Sequence, residues 1–95
     1  MQIVGRDKIQ AAYKRHSGWK ASLIRWVATV EAAKWANFAD VRQTYANASA
    51  AGRFVIFNIA NNEARLESIV NYADGRVTVT EIMTHKEYDR KDYRK

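Results

Sequence analysis

Two short stretches of this chain gather the side-chain types that acid–base chemistry on a charged substrate needs. They are Asn58-Ile-Ala-Asn-Asn-Glu-Ala-Arg65 and Thr84-His-Lys-Glu-Tyr-Asp89. Arg65 brings an always-charged guanidinium whose fork matches two oxygens of a phosphate. His85 brings an imidazole, the side-chain type that exchanges protons near neutral pH. Tyr88 adds a phenol and Asp89 a carboxylate, so the set can hold a phosphate and move protons around it. Each residue also has a plainer use. Arg65 can pair with Glu63 or Glu67, His85 can cap a helix, Tyr88 can pack under a sheet, and Asp89 can pair with Lys86 or Arg90.

The elements on either side decide whether the two stretches meet. Residues 2–4 (Gln-Ile-Val), closed by Gly5, read as a brief strand. Ile9, Ala12, Tyr13 and His16 then recur at helical spacing, leaving Lys8, Lys14 and Arg15 on the wet side. This predicts a helix over 6–16 with His16 as a packed residue. Ser17 offers an N-cap for a longer helix to about Lys34, striped by Trp19, Leu23, Trp26, Val27 and Val30. Asn37 and Asp40 form a capping pair for a short third helix bearing Phe38, Val41 and Tyr45. Trp19, Trp26 and Trp35 at helical spacing read as core or partner interface, not as a base-stacking platform.

Residues 46–52 (ANASAAG) read as a loop, after which the pattern becomes extended. Phe54–Ile59 is a nearly unbroken apolar run, 65–72 a second strand and 76–83 a third. Residues 60–63 and Ala73-Asp74-Gly75 supply the turns. The second hairpin places Arg65, near one strand's start, opposite the end of the next strand, with His85 just beyond it. Arg65 and Thr84–Asp89 therefore share one rim of the sheet. The class is α+β, a short N-terminal strand and two to three helices packed on a small twisted antiparallel sheet, in a single domain over residues 1–95.

Composition narrows the functions. The chain has 95 residues, a net charge of +6, 47% hydrophobic and 12% aromatic residues, no Pro and no Cys. Disordered tails, disulfide frameworks and thiolate chemistry are excluded. His16 and His85 come with no third ligand, so neither a metal nor another cofactor is expected. No apolar run approaches a membrane span, and the start (MQIVGRDK) lacks a signal core, which predicts a cytoplasmic protein with no membrane partner. Basic residues concentrate at both ends, with Arg6, Lys8, Lys14, Arg15 and Lys20 at one and Lys86, Arg90, Lys91, Arg94 and Lys95 at the other. The middle is neutral. Such basic ends favour a polyanionic partner.

Arg53-Phe-Val-Ile-Phe-Asn-Ile59, Asn62-Glu-Ala-Arg65-Leu66 and Ile82-Met-Thr-His-Lys-Glu-Tyr-Asp89 together resemble the HigB-type toxins of bacterial toxin–antitoxin systems, within the RelE/ParE superfamily. Ala33-Lys-Trp-Ala-Asn-Phe-Ala-Asp-Val41 also resembles the family's Trp-x-Asn-x-x-Asp-Val pattern. The likeness covers roughly residues 2–91. It implies a RelE-like fold and an mRNA interferase, an endoribonuclease that cuts mRNA on the ribosome and is neutralised by a cognate helix-turn-helix antitoxin. It implies activity at Arg65, His85, Tyr88 and Asp89, with Asn58 and Asn62 shaping the site. Arg53, Lys86, Arg90 and Lys91 are the further candidates for RNA binding.

Three positions depart from the family pattern. Phe38 stands where many relatives have Pro, Ala60-Asn61 where Gly-Gly is common, and Glu67-Ser68 in a stretch usually apolar. A ParE-like toxin that binds and poisons DNA gyrase is the alternative; it needs no His/Tyr/Asp set, so Thr84–Asp89 argues against it. A non-catalytic RNA- or partner-binding domain ranks behind both, because the aromatic motifs of common RNA modules are absent.

Overall fold

The computed structural model describes residues 1–91. In chain order these form β1 (Gln2–Val4), α1 (Arg6–Arg15), a 3-10 turn (Ser17–Trp19), α2 (Lys20–Ala32), α3 (Phe38–Thr44), β2 (Ser49–Ala51), β3 (Phe54–Ile59), β4 (Ala64–Asn71), β5 (Arg76–Thr84) and α4 (His85–Arg90). The class is α+β, as the sequence predicts. One five-stranded sheet runs in the order β1-β5-β4-β3-β2.

The expected antiparallel sheet needs one correction. β2 to β5 pair antiparallel, but β1 lies parallel to β5 with Ile3 opposite Val77, so the sheet is mixed. β1 covers an edge of β5 that the meander leaves open, and Ile3 is buried there. Gly5 makes the turn from β1 into α1. Its φ is +98°, and a Cβ there would lie 2.7 Å from the Val79 carbonyl oxygen. The position therefore needs glycine both for its left-handed backbone and for its contact with β5.

Ser17 is not the N-cap predicted for the second helix: neither the 3-10 turn nor α2 starts with a side-chain cap bond. The bend is held instead by Trp19, buried and stacked on His16 with ring centroids 3.8 Å apart. His16 is half-buried, in keeping with its reading as a packed residue. α2 stops at Ala32, short of Lys34, and the chain turns so that buried Trp35 donates its indole N–H to Thr44 Oγ1 at 3.1 Å. α3 starts as the Asn37/Asp40 pair predicts. Asn37 Oδ1 accepts from the Asp40 backbone N–H, and Asp40 Oδ2 accepts from that of Ala36, both at 2.9 Å.

The stretch read as a loop contains β2, which pairs with Phe54–Ile56 as the far edge of the sheet. Its Ser-Ala-Ala side chains carry no apolar signal, because an edge strand is held by backbone hydrogen bonds.

The core forms where α1 and α2 cover one face of the sheet. Trp19, Leu23, Trp26 and Val30 pack with Val55, Phe57, Leu66, Val77 and Val79. Phe57 is the centre of this packing, with Trp26 at 5.4 Å, Tyr45 at 5.3 Å and Trp35 at 6.0 Å between ring centroids. Each such aromatic contact adds about 0.5–1.5 kcal/mol beyond area burial.

The opposite face of the sheet is set by a bulge. Ser68 pairs with Val79 but Glu67 pairs with Glu81, which leaves Thr80 as an extra residue in β5. Alternation in β5 changes phase there. Val77 and Val79 face the helices, and so does Ile82 after the bulge, while Glu81 and Met83 join the outer face. That face carries two rows across the strands, Asn58–Arg65–Met83 and Ile56–Glu67–Glu81. Ser68 faces inward as the residue departing from an apolar pattern, and its hydroxyl donates to the Val55 carbonyl at 2.9 Å.

Gly5→Ala is expected to lower unfolding stability by about 1–3 kcal/mol, the cost of a non-glycine residue held in a left-handed conformation. Chemical denaturation of the variant and of a control such as Gly18→Ala, where a Cβ meets nothing within 4 Å, measures it. Equal stability in the two variants would contradict the β1–α1 turn described here.

Candidate functional site

The β4–β5 register brings the two polar stretches together. Ala64 pairs with Thr84 and Arg65 with Met83, so Arg65 lies at the rim where β5 passes into α4. The His85 backbone N–H donates to the Glu63 carbonyl at 2.9 Å and fixes the start of α4 against the β3–β4 turn. That turn is unusual. Ala60, Asn61 and Asn62 all have positive φ, between 53° and 72°, at a place where the departure from Gly-Gly forces non-glycine residues into the left-handed region.

α4 has only six residues and cannot hold its shape by propensity alone. A capping box supports it: the Glu87 backbone N–H donates to Thr84 Oγ1 at 3.1 Å, and the Thr84 backbone N–H donates to Glu87 Oε1 at 2.8 Å. Hydrogen bonds from the Thr84 backbone and hydroxyl hold the Glu87 carboxyl below the usual glutamate range.

Within this frame the four residues expected to act are neighbours. His85 Nδ1 lies 3.0 Å from Asp89 Oδ2, one helical turn on. The two side chains are 49% and 57% exposed, so the pair adds at most about 1 kcal/mol to stability. Nδ1 is the ring nitrogen beside the Asp89 carboxylate, and Nε2 is the nitrogen on the other side of the ring. Arg65 sits with its guanidinium carbon 5.6 Å from the centroid of the Tyr88 ring, a cation–π contact. Arg65 Nη1 donates to the carbonyls of Asn62 at 2.9 Å and Ala64 at 3.0 Å. Its other N–H groups make no hydrogen bond among the described residues. Arg65 thus pairs with neither Glu63 nor Glu67.

The remaining sequence candidates divide. Asn58 is the cross-strand neighbour of Arg65, and Asn62 contributes its backbone carbonyl to the guanidinium. Lys86 and Arg90 are exposed on α4. Arg53 precedes β3, at the end away from the rim, with its guanidinium 5.1 Å from the Phe54 ring centroid, so the structure does not bring it to the site. Lys91 has its ammonium on carboxylates, 2.6 Å from Glu67 Oε2 and in contact with Glu81 Oε2. Burial draws its pKa down, but the hydrogen bonds and charges of Glu67 and Glu81 outweigh that and leave it raised. Arg94 and Lys95 lie outside the described residues.

Three participants went unread in the sequence. The Thr84-x-x-Glu87 spacing is itself a capping-box signature and was there to be found. Glu67 and Glu81 had no such signal, because only the bulge makes them neighbours. Beside the rim, a groove of about 300 Å³ runs between α2 and the β3–β4 turn, lined by Arg25, Trp26, Thr29, Asn58 and Asn61 among others. The buried indole N–H of Trp26 on its wall has no hydrogen-bond partner among the described residues. No three His, Asp or Glu side chains among the described residues converge as a metal site, and none of the described helices is long and apolar enough to cross a membrane.

Among known families, the HigB toxin model, described as the RelE-like toxic component of a toxin-antitoxin system, matches residues 19–91. That span includes α2, the whole meander and all four residues of the rim. No curated protein matches the chain.

The cap makes α4 sensitive to acid. The Glu87 carboxyl has a lower pKa folded than unfolded, so its contribution is present above the ordinary glutamate range of about 4.3 and is lost as pH falls through the folded value. Amide exchange of α4 is expected to rise on acidification through that window, and Glu87→Gln to remove this pH dependence. Thr84→Ala should weaken α4 by about 1 kcal/mol at neutral pH, the usual worth of an N-cap. An α4 whose exchange is indifferent to both changes would rule out the capping box.

Proposed function

The chain belongs to the HigB family of RelE-like toxins of toxin–antitoxin systems, and from that premise we propose that it acts as a ribosome-associated mRNA interferase. The observation that carries this reading is the convergence of Arg65, Tyr88 and the His85–Asp89 pair on one rim of the sheet. A toxin of this kind implies an antitoxin partner. We take that partner to be a helix-turn-helix protein, and the cytoplasm, where translation runs, as the place of action.

RNA carries its own nucleophile, the 2′-hydroxyl, so the protein need not supply one. Attack of the 2′-oxygen on phosphorus breaks the bond to the 5′-oxygen, leaving a 2′,3′-cyclic phosphate and a 5′-hydroxyl. The proton leaves the 2′-oxygen for a base, and a proton reaches the 5′-oxygen from an acid. Arg65 binds the phosphate and offsets the charge that builds on its non-bridging oxygens. His85 exchanges the proton through Nε2, and Asp89 holds the ring by Nδ1. Tyr88 flanks the guanidinium and offers its ring face to a base. This division of labour requires no metal or other cofactor. Lys86 and Arg90, exposed on the same helix, extend the positive charge along the path of the strand.

Primer extension on a reporter mRNA in a purified translation system, with and without ribosomes, tests the reading. Cuts are expected with the wild type and ribosomes, and the rate is expected to fall by about two to four orders of magnitude in His85→Ala. Arg65→Ala is expected to abolish cutting under the same conditions. Intact mRNA with active translation would overturn the interferase, and broken DNA in expressing cells would move the assignment to gyrase poisoning.

A further inference from the structure

Lys91 is a basic residue just past the candidate site, yet its ammonium is engaged by two carboxylates of the sheet. Its ammonium contacts Glu67 on β4 and Glu81 on β5, the two carboxylates that the Thr80 bulge sets side by side on the outer face. Glu67 is 3% exposed, and its other carboxylate oxygen accepts from Thr80 Oγ1 at 2.6 Å. The Thr80 hydroxyl lies 3.1 Å from the Glu67 carbonyl as well, so the bulge residue itself orients the acid. A glutamate this deeply buried is tolerable only with a partner, and the cation next to it comes from the residue that ends α4.

We propose that the Glu67–Lys91–Glu81 cluster is a clamp that positions α4, and with it His85, Tyr88 and Asp89, over Arg65. The helix is short: the capping box and the His85 bond to Glu63 fix its first turn, and the contact of Tyr88 with Arg65 follows along its length. The clamp supplies the second fixed point at its other end. Tyr88 is one turn before Lys91, on the side of the helix that meets the sheet, so holding Lys91 fixes the height of the phenol above the guanidinium. Lys91 is accordingly a positioning residue, and its consequence for catalysis rests on the interferase reading. Its consequence for α4 does not.

Lys91→Met keeps the length of the stem and removes the charge. Three measurements on the full chain test it. Native-state amide exchange should show protection of α4 falling by about tenfold or more, with β4 and β5 unchanged. Cleavage of ribosome-bound reporter mRNA should lose about 10²-fold in kcat with KM nearly constant, as misplacement of reacting groups does. The salt dependence of binding should keep its slope, whereas loss of a phosphate contact would reduce that slope by about one. Lys91→Arg, which keeps charge and reach, should restore both kcat and α4 protection. If Lys91→Met does not fold, Glu67→Gln/Lys91→Met, which leaves no uncompensated carboxylate at position 67, carries the same three measurements.

Unchanged exchange in α4 overturns the clamp. So does raised exchange with full kcat, or a loss confined to KM with a shallower salt slope, which would make Lys91 an RNA contact. A wild type that cuts no mRNA fails the interferase reading alone, because the exchange measurement still decides whether the clamp holds α4.

Discussion

One extra residue in β5 decides what the outer face of this sheet can do. Side chains alternate along a strand with a period of two, so an insertion of one reverses every residue beyond it. Val77 and Val79 fill the core before Thr80, and Ile82 does so after it. Without the bulge, Ile82 would face outward and Glu81 and Met83 would be driven under the helices. With it, Arg65 gains Met83 as a neighbour and Glu67 gains Glu81. The polar rim and the charge cluster around buried Glu67 are both products of that phase change. The helical face meanwhile stays apolar around Phe57.

The rim is therefore built on a rigid sheet but finished by a weak helix. β4 and β5 share a long antiparallel ladder, and Arg65 takes its place from it. His85, Tyr88 and Asp89 depend on six residues held at their ends by hydrogen bonds and charges, with no buried side chain of their own. Segments of this kind open at much lower free energy than a core strand. The rim thus combines a guanidinium carried on a long strand ladder with side chains carried on a helix that can open locally. The exposed His85–Asp89 pair fits the same division, because an ion pair this open to water contributes little to stability.

The amino-acid sequence carried the local parts of this arrangement more fully than the long-range ones. β3 matches the apolar run at Phe54–Ile59 to the residue, and β4 and β5 shift by only one position from the expected strands. These segments are legible because burial writes a periodic pattern into them. Gly5, Asn37–Asp40 and Thr84–Glu87 are likewise local signals, of turn and cap chemistry. What stayed hidden depends on backbone pairing. β2 is an edge strand of small residues, and β1 joins its partner in parallel from more than seventy positions away. The bulge leaves no mark in composition. Hence hairpin logic places Arg65 and Thr84–Asp89 on one rim, while the sequence offers Lys91 only as a candidate for RNA binding.

Charge counting alone would assign every basic residue after α4 begins to a polyanion, and Lys91 shows why that overreaches. A cation's use is decided by what it displaces from water. Lys86 and Arg90 stay exposed on α4 and keep their charge available at long range. Lys91 meets a carboxylate that is nearly wholly buried, where pairing is worth far more than at the surface and an unpaired charge is strongly disfavoured. Moving it onto a phosphate would strand Glu67, so the cations at this end of the chain divide between Lys91, set on carboxylates, and Lys86 and Arg90, which lie exposed on α4. The burial of Glu67, more than the net charge of the tail, sets that division.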